Sequence, residues 1–302
     1  MLTAFTFPGQ GAQYPHMLQE WPAHPVVVQT LKEAEMVLGK PLASLDSNEA
    51  LLDSCNVQLS LLICGVVWGR YLKALGCQPD FLLGMSIGAY PAAVLSESLD
   101  FVDALKLVNI RGTLMQQAYP RGYGMMAVFG ASRSQIETVL LQQQASQQAV
   151  FLANLNAEYQ FILAGSLEAL ENTAVIIQSQ THSSSQLLNV TVPSHAPLLD
   201  SQAKKLKQAF SVVIIKKPKY HYVSAAKARV LYQADAIRDD LVNNMSTQVH
   251  WHDSSQMLKE RGIQRIIEMP PGATLTNLCR RVFLESDCYS ASNTNLDTLL
   301  YS

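Results

Sequence analysis

The sequence predicts an α/β protein: a mostly parallel sheet with helices on both faces, plus an inserted ferredoxin-like (βαββαβ) subdomain. Three observations predict it. Strand-length apolar runs alternate with helix-length segments at both ends of the chain, the order that lays parallel strands beneath crossover helices. Residues 124–191 read instead as strand, helix, strand, strand, helix, strand, a split βαβ order. With 302 residues, 48% of them hydrophobic, the chain can bury one large and one small unit. The expected division is a large domain of 1–123 and 192–302 and a small one of 124–191.

Taken in order, Thr3–Phe7 alternates like a first strand. It enters Pro8-Gly9-Gln10-Gly11-Ala12-Gln13, where two glycines permit a tight loop whose N–H groups can point at a ligand. Residues 24–38 and 48–75 read as helices. The second is apolar nearly all round between Leu59 and Trp68, as a helix packed under a sheet should be. Phe81–Leu83 reads as a short buried strand that breaks at Gly84-Met85-Ser86-Ile87-Gly88 and resumes as a helix. Gly-x-Ser-x-Gly in that setting is the form of a nucleophile elbow, which lifts the Ser86 hydroxyl to the mouth of the sheet. The following helix aims its N–H groups and positive end at any oxyanion forming there.

The helix of 101–118 carries an apolar stripe of Phe101, Ala104, Leu105, Val108 and Met115, and Arg111 falls inside it. An inward arginine needs an anionic partner, because an unpaired buried guanidinium costs several kcal/mol. That partner is a ligand, or a structural carboxylate, unless the side chain snorkels past the core edge.

Glycines 122 and 124 open the small domain: strand 125–130, helix 133–144, strands 149–154 and 160–164, helix 167–180 and strand 185–191. Its Gln/Ser-rich joints at 142–148 and 179–186 read as surface loops. His195 follows at once, in a loop between a strand and a helix, where a side chain can face a cleft. The remainder alternates again: strand 219–224, helices 233–244 and 251–262, strand 265–269, helix 273–284. Lys204, Lys205, Lys207, Lys216, Lys217 and Lys219 lie in a stretch without acids. They are a solvated helix face or a landing site for phosphates or an acidic partner.

Composition narrows the function. A net charge of −2 argues against a nucleic-acid partner, which needs a basic surface. Cys55, Cys64, Cys77, Cys279 and Cys288 are odd in number and widely spaced, which fits reduced thiols in a cytoplasmic protein rather than disulfides or a zinc site. The N-terminus has no export pattern, and the apolar run around Leu61–Trp68 is too short to span a membrane.

Together, Pro8–Gln13, Gly84–Gly88, Arg111-Gly112-Thr113-Leu114-Met115 and Val192-Pro193-Ser194-His195 resemble the malonyl-CoA:acyl carrier protein transacylase family. They fall in its order and spacing, over essentially the whole chain. Within it, Leu231–Met245 and the following His250-Trp251-His252-Asp253 look most like the malonate decarboxylase epsilon subunit. The resemblance implies a hydrolase-like sheet with Ser86 as nucleophile and His195 as base. Arg111 becomes the clamp on a malonyl carboxylate, and backbone N–H groups of Gln10 and Ile87 the oxyanion hole. A main-chain carbonyl orients the histidine, and Asn244 stands where most members have Gln. Malonyl-CoA and an acyl carrier protein are the implied partners, with other decarboxylase subunits in the narrower branch, and no metal or bound cofactor. A housekeeping fatty-acid-synthesis transacylase, an acyl-thioester hydrolase and an inactive scaffold are the rivals. Met85 replaces the family's usual His, and Met269-Pro270-Pro271-Gly272 its usual Gly-Pro-Gly. Both changes bear on acyl selectivity and pocket shape.

Overall fold

The computed structural model describes residues 1–119, 121–145, 149–284 and 287–301. Two strands form the middle of the main sheet, β1 (Thr3–Phe7) and β2 (Phe81–Gly84). β9 (Arg265–Glu268) and β10 (Asp287–Ser290) extend it beyond β1, and β7 (His221–Ser224) and β8 (Arg229–Leu231) beyond β2. All pairs are parallel except β7–β8. Strand side chains alternate between faces, and the core divides accordingly. Phe5, Phe7, Leu82 and Ile267 pack on the face covered by α2 (Ser54–Ala74) and α4 (Phe101–Ala118). Ala4, Phe81, Leu83 and Ile266 pack on the other, under α9 (Trp251–Glu260) and α10 (Thr274–Cys279).

α2 starts at Ser54 rather than 48, because Asp53 caps it: Oδ1 accepts from the N–H groups of Cys55 (2.7 Å) and Asn56 (3.3 Å). It is shorter than expected, but its apolar stretch is longer than the Leu61–Trp68 run suggested. Among the described residues it is the one helix long and apolar enough to cross a membrane, yet 83% of its most apolar window is buried inside the fold. That apolar surface is spent on the core.

The second sheet is antiparallel, in the order β4 (Val150–Ala157), β5 (Gln160–Ser166), β3 (Tyr123–Phe129), β6 (Ser184–Leu187). This is the strand order of a ferredoxin-like unit. Met126, Val128 and Leu163 face α5 (Arg133–Ala145) and α6 (Leu167–Gln180). Met125, Ala127 and Ile162 face the opposite way, toward Ala196 and the main sheet. The Val249 main chain joins the two units, accepting from Leu155 N and donating to Ala153 O, both at 2.8 Å.

Several expected bounds shift. Strand 185–191 closes at Leu187, helix 273–284 at Cys279, and strand 219–224 begins at His221. Both edge strands, β8 and β10, escape the periodicity, being three and four residues long. Of the Gln/Ser-rich joint at 142–148, residues 146–148 lie outside the described residues.

The lysine-rich stretch splits. Lys216 pairs with Asp100 (2.9 Å) and Lys219 with Glu97 (3.5 Å), while Lys204, Lys205 and Lys207 lie exposed along α7 (Asp200–Ala209). Lys219 precedes β7, so it sits at the N-terminal end of the parallel sheet, and Ser86 follows the C-terminal end of β2. A partner reaching Ser86 does not approach from Lys216–Lys219.

Candidate active site

Ser86 leaves β2 on a backbone turn with φ of 55°, a left-handed conformation that costs a non-glycine residue of order 1–3 kcal/mol. The flanking glycines make it possible. A Cβ on Gly84 would come within 2.0 Å of the Gly88 backbone, and one on Gly88 within 2.2 Å of Phe7 O. The loop after β1 lies against the same turn: a Cβ on Gly9 would stand 3.2 Å from Met85 O and 3.5 Å from Ser86 Cβ. Gln10 and Ile87 are therefore placed on the two backbone segments that border Ser86.

His195, also at a left-handed φ of 62°, brings Nε2 to 2.8 Å from Ser86 Oγ. Its Nδ1 lies 3.1 Å from Thr247 O. A carbonyl only accepts, so Nδ1 carries the ring proton and Nε2 is left to accept from the serine hydroxyl. The tautomer is that of a general base. The expected orienter, Asn244, is thereby joined by a second residue. Thr247 supplies the carbonyl that fixes the ring, and the Asn244 carbonyl makes a weaker contribution to the environment of His195. The Asn244 side chain turns instead to Arg111, accepting from Nη2 at 2.9 Å. Met245 O meanwhile holds the His195 N–H at 2.7 Å. A single turn after α8 (Ala234–Asn243) thus positions both His195 and Arg111.

Arg111 is fully buried, with Nη1 donating to Gln58 Oε1 at 2.5 Å and Nη2 standing 3.4 Å from Ser86 Oγ. Its Nε has no partner, and no carboxylate pairs with it among the described residues. Burial lowers its pKa to about 10, with Tyr90 acting weakly the other way, so it stays charged at pH 7. The structural ion pair and the snorkelling arginine are both set aside by this geometry.

Burial pushes His195 down to about 4, helped by the Arg111 charge and opposed by the Thr247 carbonyl. A histidine held below its usual 6.5 or so stays neutral, and competent as a base, as pH falls through that value. The stability contributed by the neutral ring is present above about pH 6.5 and is lost toward 4. The acid limb of kcat/KM for Ser86 acylation should accordingly lie well below pH 6.5. Removing the repulsive charge in Arg111→Gln should move it upward. A limb at or above pH 6.5 in the unaltered protein would contradict this environment for His195.

Ser86 and His195 open onto a cleft of about 320 Å³ between the two units, bordered by the Gly9–Ala12 loop, Met85, Met125, Ala127, Ile162 and Leu188. Asn154 and Asn156 line it from β4, both nearly buried, and their Oδ1 atoms have no hydrogen-bond partner. Among the described residues, no cluster of His, Cys, Asp or Glu could hold a metal ion.

The acyl transferase domain model matches residues 4–296, nearly the whole chain. The chain belongs to that acyl transferase family. The malonyl CoA-acyl carrier protein transacylase of Salmonella typhimurium is 33% identical over 285 residues, 92% of each chain. The solved transacylase of Coxiella burnetii superimposes with a TM-score of 0.92 at 30% identity, covering 99% of this chain and 96% of its own. A malonyl-transacylase solved in complex with its holo type II PKS acyl-carrier protein gives 0.90 at 31%, covering 99% and 98%. The resemblance read from the four motifs is thus borne out as membership of the malonyl-CoA:acyl carrier protein transacylase family.

Within this acyl transferase, the motifs bring together Ser86, His195 and Arg111, with Gln10, Ile87 and Asn244 around them. Sequence reasoning missed Gln58, Thr247, Asn154 and Asn156. Gln58 carried a signal of the Arg111 kind, a polar side chain beside the apolar stretch of α2. Asn154 and Asn156 carried another, two amides two residues apart on one strand face. Thr247 carried none, because it acts through its main chain.

Proposed function

We propose that this chain is a malonyl-CoA:acyl carrier protein transacylase working through a Ser86 ester. The observation that carries the reading is Arg111: a buried, charged guanidinium that no carboxylate pairs with among the described residues, 3.4 Å from the Ser86 hydroxyl. An acyl group with its own carboxylate supplies the missing anion, and a planar fork suits its two oxygens.

The chemistry then runs as two transfers. Nε2 of His195 takes the Ser86 proton as Oγ attacks the thioester carbonyl, and N–H groups of Gln10 and Ile87 stabilise the oxyanion. The tetrahedral intermediate collapses, and His195 returns the proton to the departing CoA thiolate. A carrier thiol next gives its proton to His195 and attacks the ester carbonyl, and Ser86 is reprotonated as it leaves. The bare Oδ1 atoms of Asn154 and Asn156 suit the amide N–H groups of a pantetheine-type arm lying in the cleft. Arg111 fixes the acyl chain against water between the two steps.

The narrower expectation, a malonate decarboxylase subunit, rests on Leu231–Met245 and His250–Asp253, with Met85 and Met269–Gly272 leaning the same way. The relatives described above carry the transacylase name, which favours the general reading over that branch.

Incubation with malonyl-CoA should add one malonyl group in intact-mass spectra, absent in Ser86→Ala. A holo carrier protein added next should remove the adduct and gain its mass. Release of free malonate at a rate unaffected by carrier would turn the reading toward the hydrolase.

A further inference from the structure

We infer that Ser54 and Gln58 form a positioning relay joining the carboxylate clamp to the oxyanion loop. Arg111 Nη1 donates to Gln58 Oε1, and since a guanidinium only donates, this fixes which way the Gln58 amide points. Its Nε2 is then turned to Ser54 Oγ, at 3.3 Å, with Met115 Sδ at 3.5 Å as a weaker second acceptor. Ser54 Oγ in turn meets both ends of the Gln10 amide, Nε2 at 3.2 Å and Oε1 at 3.4 Å. Four side chains thus run without a break from the cation near Ser86 to the loop whose backbone borders the reacting carbonyl.

From Arg111 through Gln58 to Ser54 the relay is protected from water, which makes those bonds count for more than at the surface. Gln58 and Arg111 are fully buried and Ser54 nearly so. Its anchor is rigid as well, because Ser54 is the first residue of α2 and its N–H donates to Gln116 Oε1 of α4 at 3.1 Å. A carboxylate drawing on Arg111 pulls on Gln58 and, through Ser54, on the Gln10 side chain. Binding of the anionic end of the substrate and setting of the oxyanion loop become one event. A substrate without that anion leaves the loop unset.

This inference rests on the malonyl transfer reading, and the test separates the two. Single-turnover acylation of Ser86 is followed by mass for the unaltered protein, Ser54→Ala and Ser54→Thr, with malonyl-CoA and acetyl-CoA as probes and thermal unfolding as a check on folding. Misplacement of the loop should slow malonyl acylation by about tenfold in Ser54→Ala. It should act on the maximal rate rather than on half-saturation, with acetyl acylation changed less than about twofold. Ser54→Thr, which keeps the hydroxyl, should restore the malonyl rate. Equal losses with both probes would reduce Ser54 to a static support and overturn the coupling, as would no loss with either. Failure of the unaltered protein to form any malonyl ester would instead sink the malonyl reading.

Discussion

His195→Ala should slow Ser86 acylation by malonyl-CoA by about 10²–10⁴-fold, the range a positioned base contributes. Among the described residues, His195 Nε2 is the one acceptor hydrogen-bonded to the serine hydroxyl. The side chain that shares its hydroxyl is Arg111 Nη2, a donor that stays charged at pH 7. The loss should fall on both transfers, since the same Nε2 would receive the carrier thiol's proton. Half-saturation by malonyl-CoA should change little, because the anionic end of the substrate is held elsewhere. The fold should survive, with a discount. His195 is almost wholly buried and its ring bonds Thr247 O, so a cavity and an unpartnered carbonyl remain, a cost of a few kcal/mol. His195→Gln, which fills more of the space, separates the two effects. Rates within tenfold of the unaltered protein, in a variant with native unfolding behaviour, would assign the base to another group.

The parts of this site legible in the sequence are those built from neighbours in the chain. The elbow is local: Gly84 and Gly88 are required by contacts within the turn and with β1, so the motif announces the geometry. Arg111 announced itself because a cation in an apolar helical stripe conflicts with burial, and the structure resolves that conflict without a protein carboxylate. The βαββαβ order was legible because period-2 and period-3.6 segments follow one another cleanly there. The orienting of His195 was harder. It depends on which carbonyl of the 244–247 turn lies nearest a ring 52 residues away in sequence, and every residue has a carbonyl. The expected position, Asn244, lies on that turn and its carbonyl contributes less than that of Thr247, while its side chain serves Arg111. β8 and β10 were missed for a different reason. Edge strands of three or four residues carry too few alternations to register, and their pairing is set by neighbours far along the chain.

Arg111→Ala should penalise malonyl-CoA by about 2–5 kcal/mol in kcat/KM, the usual range for truncating one partner of a buried charge pair. That is a loss of roughly 30-fold to several thousand-fold. Acetyl-CoA, with no carboxylate to pair, should lose little, and it gains if relief of the nearby charge matters more than lost packing. Arg111→Lys discriminates between charge and shape. A lysine restores the cation, but it cannot reproduce a fork that reaches Gln58, Asn244 and a substrate carboxylate together. Its malonyl rate should therefore stay well below that of the unaltered protein. Stability should not fall in step with activity. The arginine is desolvated, has an unpartnered Nε and meets no counter-charge among the described residues, so the apo fold carries it at a cost. Arg111→Met, similar in volume and uncharged, lifts that cost but leaves the Gln58 and Asn244 oxygens without a donor, so it should unfold close to the temperature of the unaltered protein while losing malonyl transfer. That pattern, malonyl transfer lost while the stability of the empty protein holds, is expected of a functional cation and not of a structural one. A malonyl-to-acetyl preference that survives Arg111→Ala unchanged would make Arg111 structural and remove the main physical ground for a malonyl substrate.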